Sequence, residues 1–171
     1  IKIFDRKQLR FMGKGRTLPL VYAAMQDAVK NSGLTADEVS SNMTGLLVGT
    51  GGPSTEDQCN AATAVRNNRQ DPNRKSLSRV LGIGQVPPTM SSGASAILAT
   101  DFQIRGVSFS ITSACATSAH CIGEAYYMIQ AGRQDVMFAG GGDDAHWTKA
   151  QGFDAMGALS KKYNDTPKVA S

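Results

Sequence analysis

The chain has 171 residues, 41% of them hydrophobic and 6% aromatic, which is enough to bury one sizeable core and makes a single domain the starting expectation. Its formal net charge of +4 and pI near 9.1 are a small basic surplus with no stacking aromatics interleaved, which argues against nucleic acid and leaves room for an acidic protein partner. No apolar run approaches the length that a membrane-spanning helix needs, so no membrane partner is expected.

Three cysteines, Cys59, Cys115 and Cys121, form no CxxC and leave one thiol over, which suggests neither a disulfide framework nor a zinc site. A reducing cytoplasm fits that usage. Residues 1–12 show neither an initiator Met nor a secretory layout and read as starting within a longer protein.

Arg6, Lys7, Arg10 and Lys14 form a solvated basic surface anchored by Leu9, Phe11 and Met12. Thr17 is placed to cap a helix with Pro19 in its first turn, and Leu18, Val21, Met25, Ala28 and Val29 recur at helical spacing until Gly33 ends it. Thr35 and Glu38 make a capping-box pattern for a short second helix. Residues 45–49 read as a buried strand running into the sharp turn Thr50-Gly51-Gly52-Pro53. Ser54 caps a helix through about Arg66, and the polar stretch 67–75 reads as an exposed connection.

A small-residue helix over about 91–102 leads through Gly106 into a strand at 107–112, where Val107, Phe109 and Ile111 alternate with Ser108, Ser110 and Thr112. From 115 to 131 the pattern is helical with little room for a wide polar face, which predicts a central, buried helix ended by Gly132. Residues 136–139 form another buried strand before Gly140-Gly141-Gly142. Strands alternating with helices predict an α/β layered fold.

Chemistry concentrates at Ile111-Thr112-Ser113-Ala114-Cys115-Ala116, where a strand turns abruptly into a helix that begins at a cysteine. The free backbone N–H groups of such a terminus favour the thiolate, the reactive form, and can receive the oxyanion formed when a thioester is attacked. Pattern alone leaves two readings open, a nucleophile or an inert buried thiol. His120, five residues on, lies about 140° around a helix from Cys115 and reads as structural rather than as its base. Asp143, Asp144 and His146 lack metal-ligand spacing and read as a polar loop, so no metal is expected. The glycine-rich turns lack the residues that complete a dinucleotide or P-loop motif. Cys59 and Cys121 read as packing residues.

The run Ser113-Ala114-Cys115-Ala116-Thr117-Ser118-Ala119-His120-Cys121-Ile122-Gly123 resembles the nucleophile segment of class I β-ketoacyl-[acyl carrier protein] synthases. Similarity continues through Gln134-Asp135, Phe138-Ala139-Gly140-Gly141-Gly142, residues 153–160 and Tyr163-Asn164-Asp165-Thr166-Pro167. Upstream, Asp5-Arg6-Lys7 with Arg10-Phe11-Met12, and Ser92-Gly93 with Leu98-Ala99-Thr100, also resemble the family.

The resemblance implies a thiolase-like α/β fold, a mixed sheet layered between helices in each of two similar halves, of which residues 1–171 are the N-terminal one without its first strand. It implies a homodimer that takes acyl and malonyl thioesters from acyl carrier protein and needs no cofactor. An acyl chain passes to Cys115, and the carbanion left when malonyl carrier protein loses carbon dioxide attacks that thioester. Met90 and Phe153 are assigned to the acyl pocket, Ala114 sits beside the nucleophile, and Arg6, Lys7 and Arg10, with Lys75 and Arg79, form the carrier-protein docking surface. The family's two catalytic histidines and its lysine belong to the other half, so the chain alone is expected to be inactive. A non-catalytic partner that binds carrier protein or a sister subunit is the rival reading, against which the retained Cys115 counts; a thiol redox protein lacks the CxxC it needs.

Overall fold

The computed structural model describes residues 11–143 and 145–169. The basic residues Arg6, Lys7 and Arg10 lie outside the described residues. Ten elements matter here: α1 (Thr17–Ser32), α2 (Ala36–Val39), β1 (Thr44–Gly49), α3 (Thr55–Gln70), α4 (Leu77–Leu81), α5 (Gly93–Asp101), β2 (Ser108–Phe109), α6 (Thr117–Gln130), β3 (Val136–Gly141) and α7 (Trp147–Ala155). The strands pair in the order β2-β1-β3, and both pairings are parallel. The α/β expectation holds. The strands described are parallel throughout, however, so the mixed character expected of the sheet is not seen among the described residues.

The sheet divides two apolar layers because side chains alternate along β1. Leu46 and Val48 face α1 and α5, joining Leu18, Val21, Met25, Leu98 and Phe138. Leu47 faces the other way and meets Cys121, Ala125 and Met128 of α6. Every residue of β1 is buried, as a parallel strand covered on both faces requires.

Local chemistry accounts for most boundaries. Gly33 ends α1 in the left-handed region, at φ 73°. The Thr35 hydroxyl accepts from the Glu38 N–H, while the Glu38 carboxylate accepts from the Thr35 N–H at 2.7 Å and from its hydroxyl at 2.8 Å. These bonds, that from the Thr35 backbone foremost, hold the Glu38 carboxyl below its ordinary range. Ser54 caps α3 by accepting from the Asp57 N–H.

Several expectations are corrected. The N-cap of α1 is Arg16, without a side-chain bond, and Thr17 is the first helical residue with its hydroxyl buried and unpartnered. The chain enters that helix early because the buried Asp57 holds the N–H groups of Lys14 and Gly15, at 2.8 and 3.0 Å. Helix α3 runs on to Gln70 instead of stopping near Arg66, since the first true breaker is Pro72, which keeps Asp71 extended at ψ 122°. The strand expected over 107–112 shrinks to Ser108–Phe109; beyond it the Ser110 hydroxyl, not a backbone N–H, bonds Val48 O at 2.6 Å, and it also meets Ser95 Oγ at 2.8 Å.

Helix α6 is not buried all round either. Thr117, Cys121, Ala125 and Met128 form its buried stripe, while Ile122, Tyr126, Tyr127 and Ile129 are exposed. Cys121 packs as expected, but Cys59 is exposed on α3, a helix in which Asp57 is the one buried residue.

Candidate active site

Between the edge strand β2 and α6 the chain makes a tight elbow. Residues Ala114–Ala116 form one turn of 3-10 helix, so Cys115 sits on that turn, just ahead of α6. Ala114 has φ 49°, a left-handed conformation that is strained for any residue with a Cβ. What holds it there is Thr117, whose buried hydroxyl accepts from Ser113 N–H and donates to Ala114 C=O, each at 2.8 Å.

The elbow also needs close backbone approach from β1. A Cβ on Gly49 would collide with the Ile111 carbonyl and reach 2.6 Å from Thr117 Cγ2. One on Gly51 would lie 3.2 Å from the Ala114 carbonyl. The glycine turn after β1 is therefore a bed for the elbow, consistent with reading it as a place of close approach rather than a phosphate cradle.

Cys115 is exposed, and its backbone N–H has no hydrogen-bond partner among the described residues. A thiol and a free N–H on one residue can attack a carbonyl and then receive its oxyanion. Beside them opens a cleft of about 760 Å³, lined by Ala114, Cys115 and Gly51 on one side and by Trp147, Ala150, Phe153 and Leu159 on the other. Its aromatic and aliphatic wall suits an apolar chain attached to the sulfur.

The structure thus brings Cys115, Ala114 and Phe153 together, and leaves Met90 out. Met90 follows the short 3-10 turn Pro87–Thr89, is 49% exposed, and lines no part of this cleft. Lys75 and Arg79 are exposed near α4. His120 is exposed on α6 and also stays out of the cleft.

Two residues that read as a polar loop, Asp143 and His146, line the cleft together with Lys149, which the sequence did not single out. His146 caps α7, its Nδ1 accepting from Thr148 N–H at 3.4 Å and lying 2.7 Å from the Thr148 hydroxyl. Asp143 receives Gly51 N–H at 3.0 Å and pairs with Lys149 at 2.7 Å. The acid and base are six residues apart across an unrecognised helix start, so no helical spacing announced them. No group of His, Cys, Asp and Glu that could hold a metal occurs among the described residues. No helix described is long and apolar enough to cross a membrane.

Comparison with known proteins agrees with this geometry. The chain is 48% identical over 167 residues to the 3-oxoacyl-[acyl-carrier-protein] synthase 1 of Haemophilus influenzae, covering 98% of this chain and 39% of that protein. It is 46% identical over 170 residues to the synthase of the same name from Escherichia coli K12, covering 99% and 40%. The chain therefore spans about two fifths of the length of these curated relatives. A crystal structure of a β-ketoacyl synthase from Burkholderia phymatum superposes with a TM-score of 0.80 at 25% identity, over 98% of this chain and 38% of that one. With the β-ketoacyl synthase N-terminal domain matched across residues 3–170, around a cysteine elbow of this geometry, the chain belongs to the β-ketoacyl synthase family.

Proposed function

We propose that the protein carrying this chain is a β-ketoacyl-[acyl carrier protein] synthase of fatty acid elongation, acting in the cytoplasm, with Cys115 as the acyl-accepting nucleophile. The observation that carries the reading is the exposed Cys115 on a strained elbow, with a free N–H and an apolar cleft beside it. The names of the two curated relatives support the reaction class and the carrier-protein partner.

In the first half-reaction the Cys115 sulfur attacks the thioester carbonyl of acyl carrier protein. The carbonyl electron pair moves onto oxygen, where the Cys115 N–H receives it, and collapse expels the carrier thiolate. The acyl chain then lies along the Trp147 and Phe153 wall. In the second, malonyl carrier protein loses carbon dioxide, the carbanion left behind attacks the Cys115 thioester, and the Cys115 thiolate departs. The product is two carbons longer. Residues 1–171 form one N-terminal thiolase-like domain, and the histidines and lysine of the second half-reaction belong to the remainder of the protein.

Carrier docking is assigned to Arg6, Lys7, Arg10, Lys75 and Arg79, and Met90 to the pocket of a second copy in a homodimer. The exposure of Lys75, Arg79 and Met90 supports that assignment. The test is an assay of the intact protein with acyl and malonyl carrier protein, read by mass spectrometry. A 3-oxoacyl product two carbons longer, lost in Cys115→Ala, supports the reading, and condensation that survives Cys115→Ala overturns it.

A further inference from the structure

Helix α7 supplies Trp147, Ala150 and Phe153 to the Cys115 cleft, yet none of its residues is buried. Among the described residues, apolar burial therefore contributes little to holding this wall in place. Polar ties take over that task. At its start the Thr148 hydroxyl bonds Thr55 Oγ1 at 2.7 Å, joining α7 to the first turn of α3. At the next residue, Lys149 Nζ meets Asp143 Oδ1 at 2.7 Å.

Asp143 is more than the acid of an ion pair. Its Oδ2 accepts from Gly51 N–H at 3.0 Å and its Oδ1 lies 3.2 Å from the Thr50 hydroxyl, so the same carboxylate fixes the turn on which the elbow rests. The side chain of Lys149 is only 18% exposed whereas that of Asp143 is 50% exposed. A lysine stem lying along the cleft with its ammonium turned onto a fixed carboxylate is a tether with one well-defined end.

We infer that the Asp143–Lys149 pair is a latch that holds α7 against the Cys115 elbow and so determines how well a long apolar chain is gripped beside the nucleophile. Both are positioning residues, since neither needs to touch the reacting atoms. The inference deepens the acyl-enzyme reading and rests on it only for the identity of the chain as an acyl group. Broken, the latch frees the wall, and the advantage of a long chain over a short one shrinks.

The experiment needs no acyl transfer. The intact protein is alkylated with N-methyl and N-octyl iodoacetamide, and rates at the Cys115 and Cys59 peptides are followed by mass mapping. Cys59 is exposed and outside the cleft, so it reports any change unrelated to the wall. Lys149→Gln removes the charge without adding apolar surface, Asp143→Asn keeps an acceptor for Gly51 N–H, and Lys149→Arg keeps the pair. The octyl-to-methyl rate ratio at Cys115 should fall about threefold to fivefold in K149Q and D143N, the size a partly screened ion pair supports, and stay near wild type in K149R. The ratio at Cys59 should not move. An unchanged ratio at Cys115 in both K149Q and D143N overturns the inference, as does an equal change at Cys59. Failure of the wild-type protein to take an acyl group from carrier protein counts against the acyl-enzyme reading and leaves the alkylation result standing.

Discussion

Thr117 Oγ1 lies 2.8 Å from the Ala114 carbonyl and donates to it, which pins the one strained residue beside Cys115 to the first turn of α6. The same hydroxyl accepts from Ser113 N–H, so one buried side chain satisfies two backbone groups of the elbow. Thr117→Val keeps the shape and removes both bonds. It should cost about 1–3 kcal/mol in stability and slow alkylation of Cys115 relative to Cys59, while Thr117→Ser restores both. Denaturant melts with peptide mapping check this, and an unaltered Cys115 rate in Thr117→Val contradicts it.

Close approach predicts an asymmetry between neighbouring glycines. Gly49→Ala places a methyl group against the Ile111 carbonyl and Thr117, and the backbone there has no room to yield. A loss of about 1–3 kcal/mol is expected. Gly52 has nothing within 4 Å of its Cβ position, so Gly52→Ala should stay within about 0.5 kcal/mol of wild type. Equal effects in urea titrations would show that the bed of the elbow is softer than described.

What the sequence disclosed was whatever depends on near neighbours. Gly33, the Thr35–Glu38 box and the Ser54 cap each act within a few residues, and each falls where expected. The elbow was legible for the same reason, although the helix expected to open at Cys115 begins at Thr117, after a 3-10 turn over Ala114–Ala116. Distant contacts were not. The displaced start of α1 depends on Asp57 more than forty residues away, and beyond the short β2 the Ser110 hydroxyl reaches across to Val48. Asp143 reads as a loop residue in the sequence because its partners, Gly51 and Lys149, come together only in the folded chain.

Assembly as a homodimer predicts that residues 107–111 pair antiparallel with their copy across a two-fold axis. The edge strand β2 leaves Ser108 and Phe109 exposed, with Phe109 at 40%. Phe109→Glu sets like charges face to face there and should shift the intact protein from dimer to monomer in sedimentation velocity. A dimer that persists unchanged places the two-fold contact elsewhere.

Carrier docking through charge predicts a split between substrates. Replacing Arg6, Lys7 and Arg10 by Glu should raise KM for acyl carrier protein far more than KM for acyl-CoA, with Lys75→Glu and Arg79→Glu adding smaller effects. Rising salt should weaken wild-type binding in the same sense, because screening shortens the reach of steering. Equal losses with both thioesters indicate misfolding, and no loss with either moves the docking surface.

The acyl-enzyme itself is the most direct test. Intact protein mixed with acyl carrier protein alone, without malonyl substrate, should stall after the first half-reaction. Peptide mapping should then find the acyl mass on the Cys115 peptide and on neither Cys59 nor Cys121, and Cys115→Ser should abolish thioester formation. Acyl groups on Cys59, or none on any cysteine while condensation proceeds, contradict Cys115 as the nucleophile.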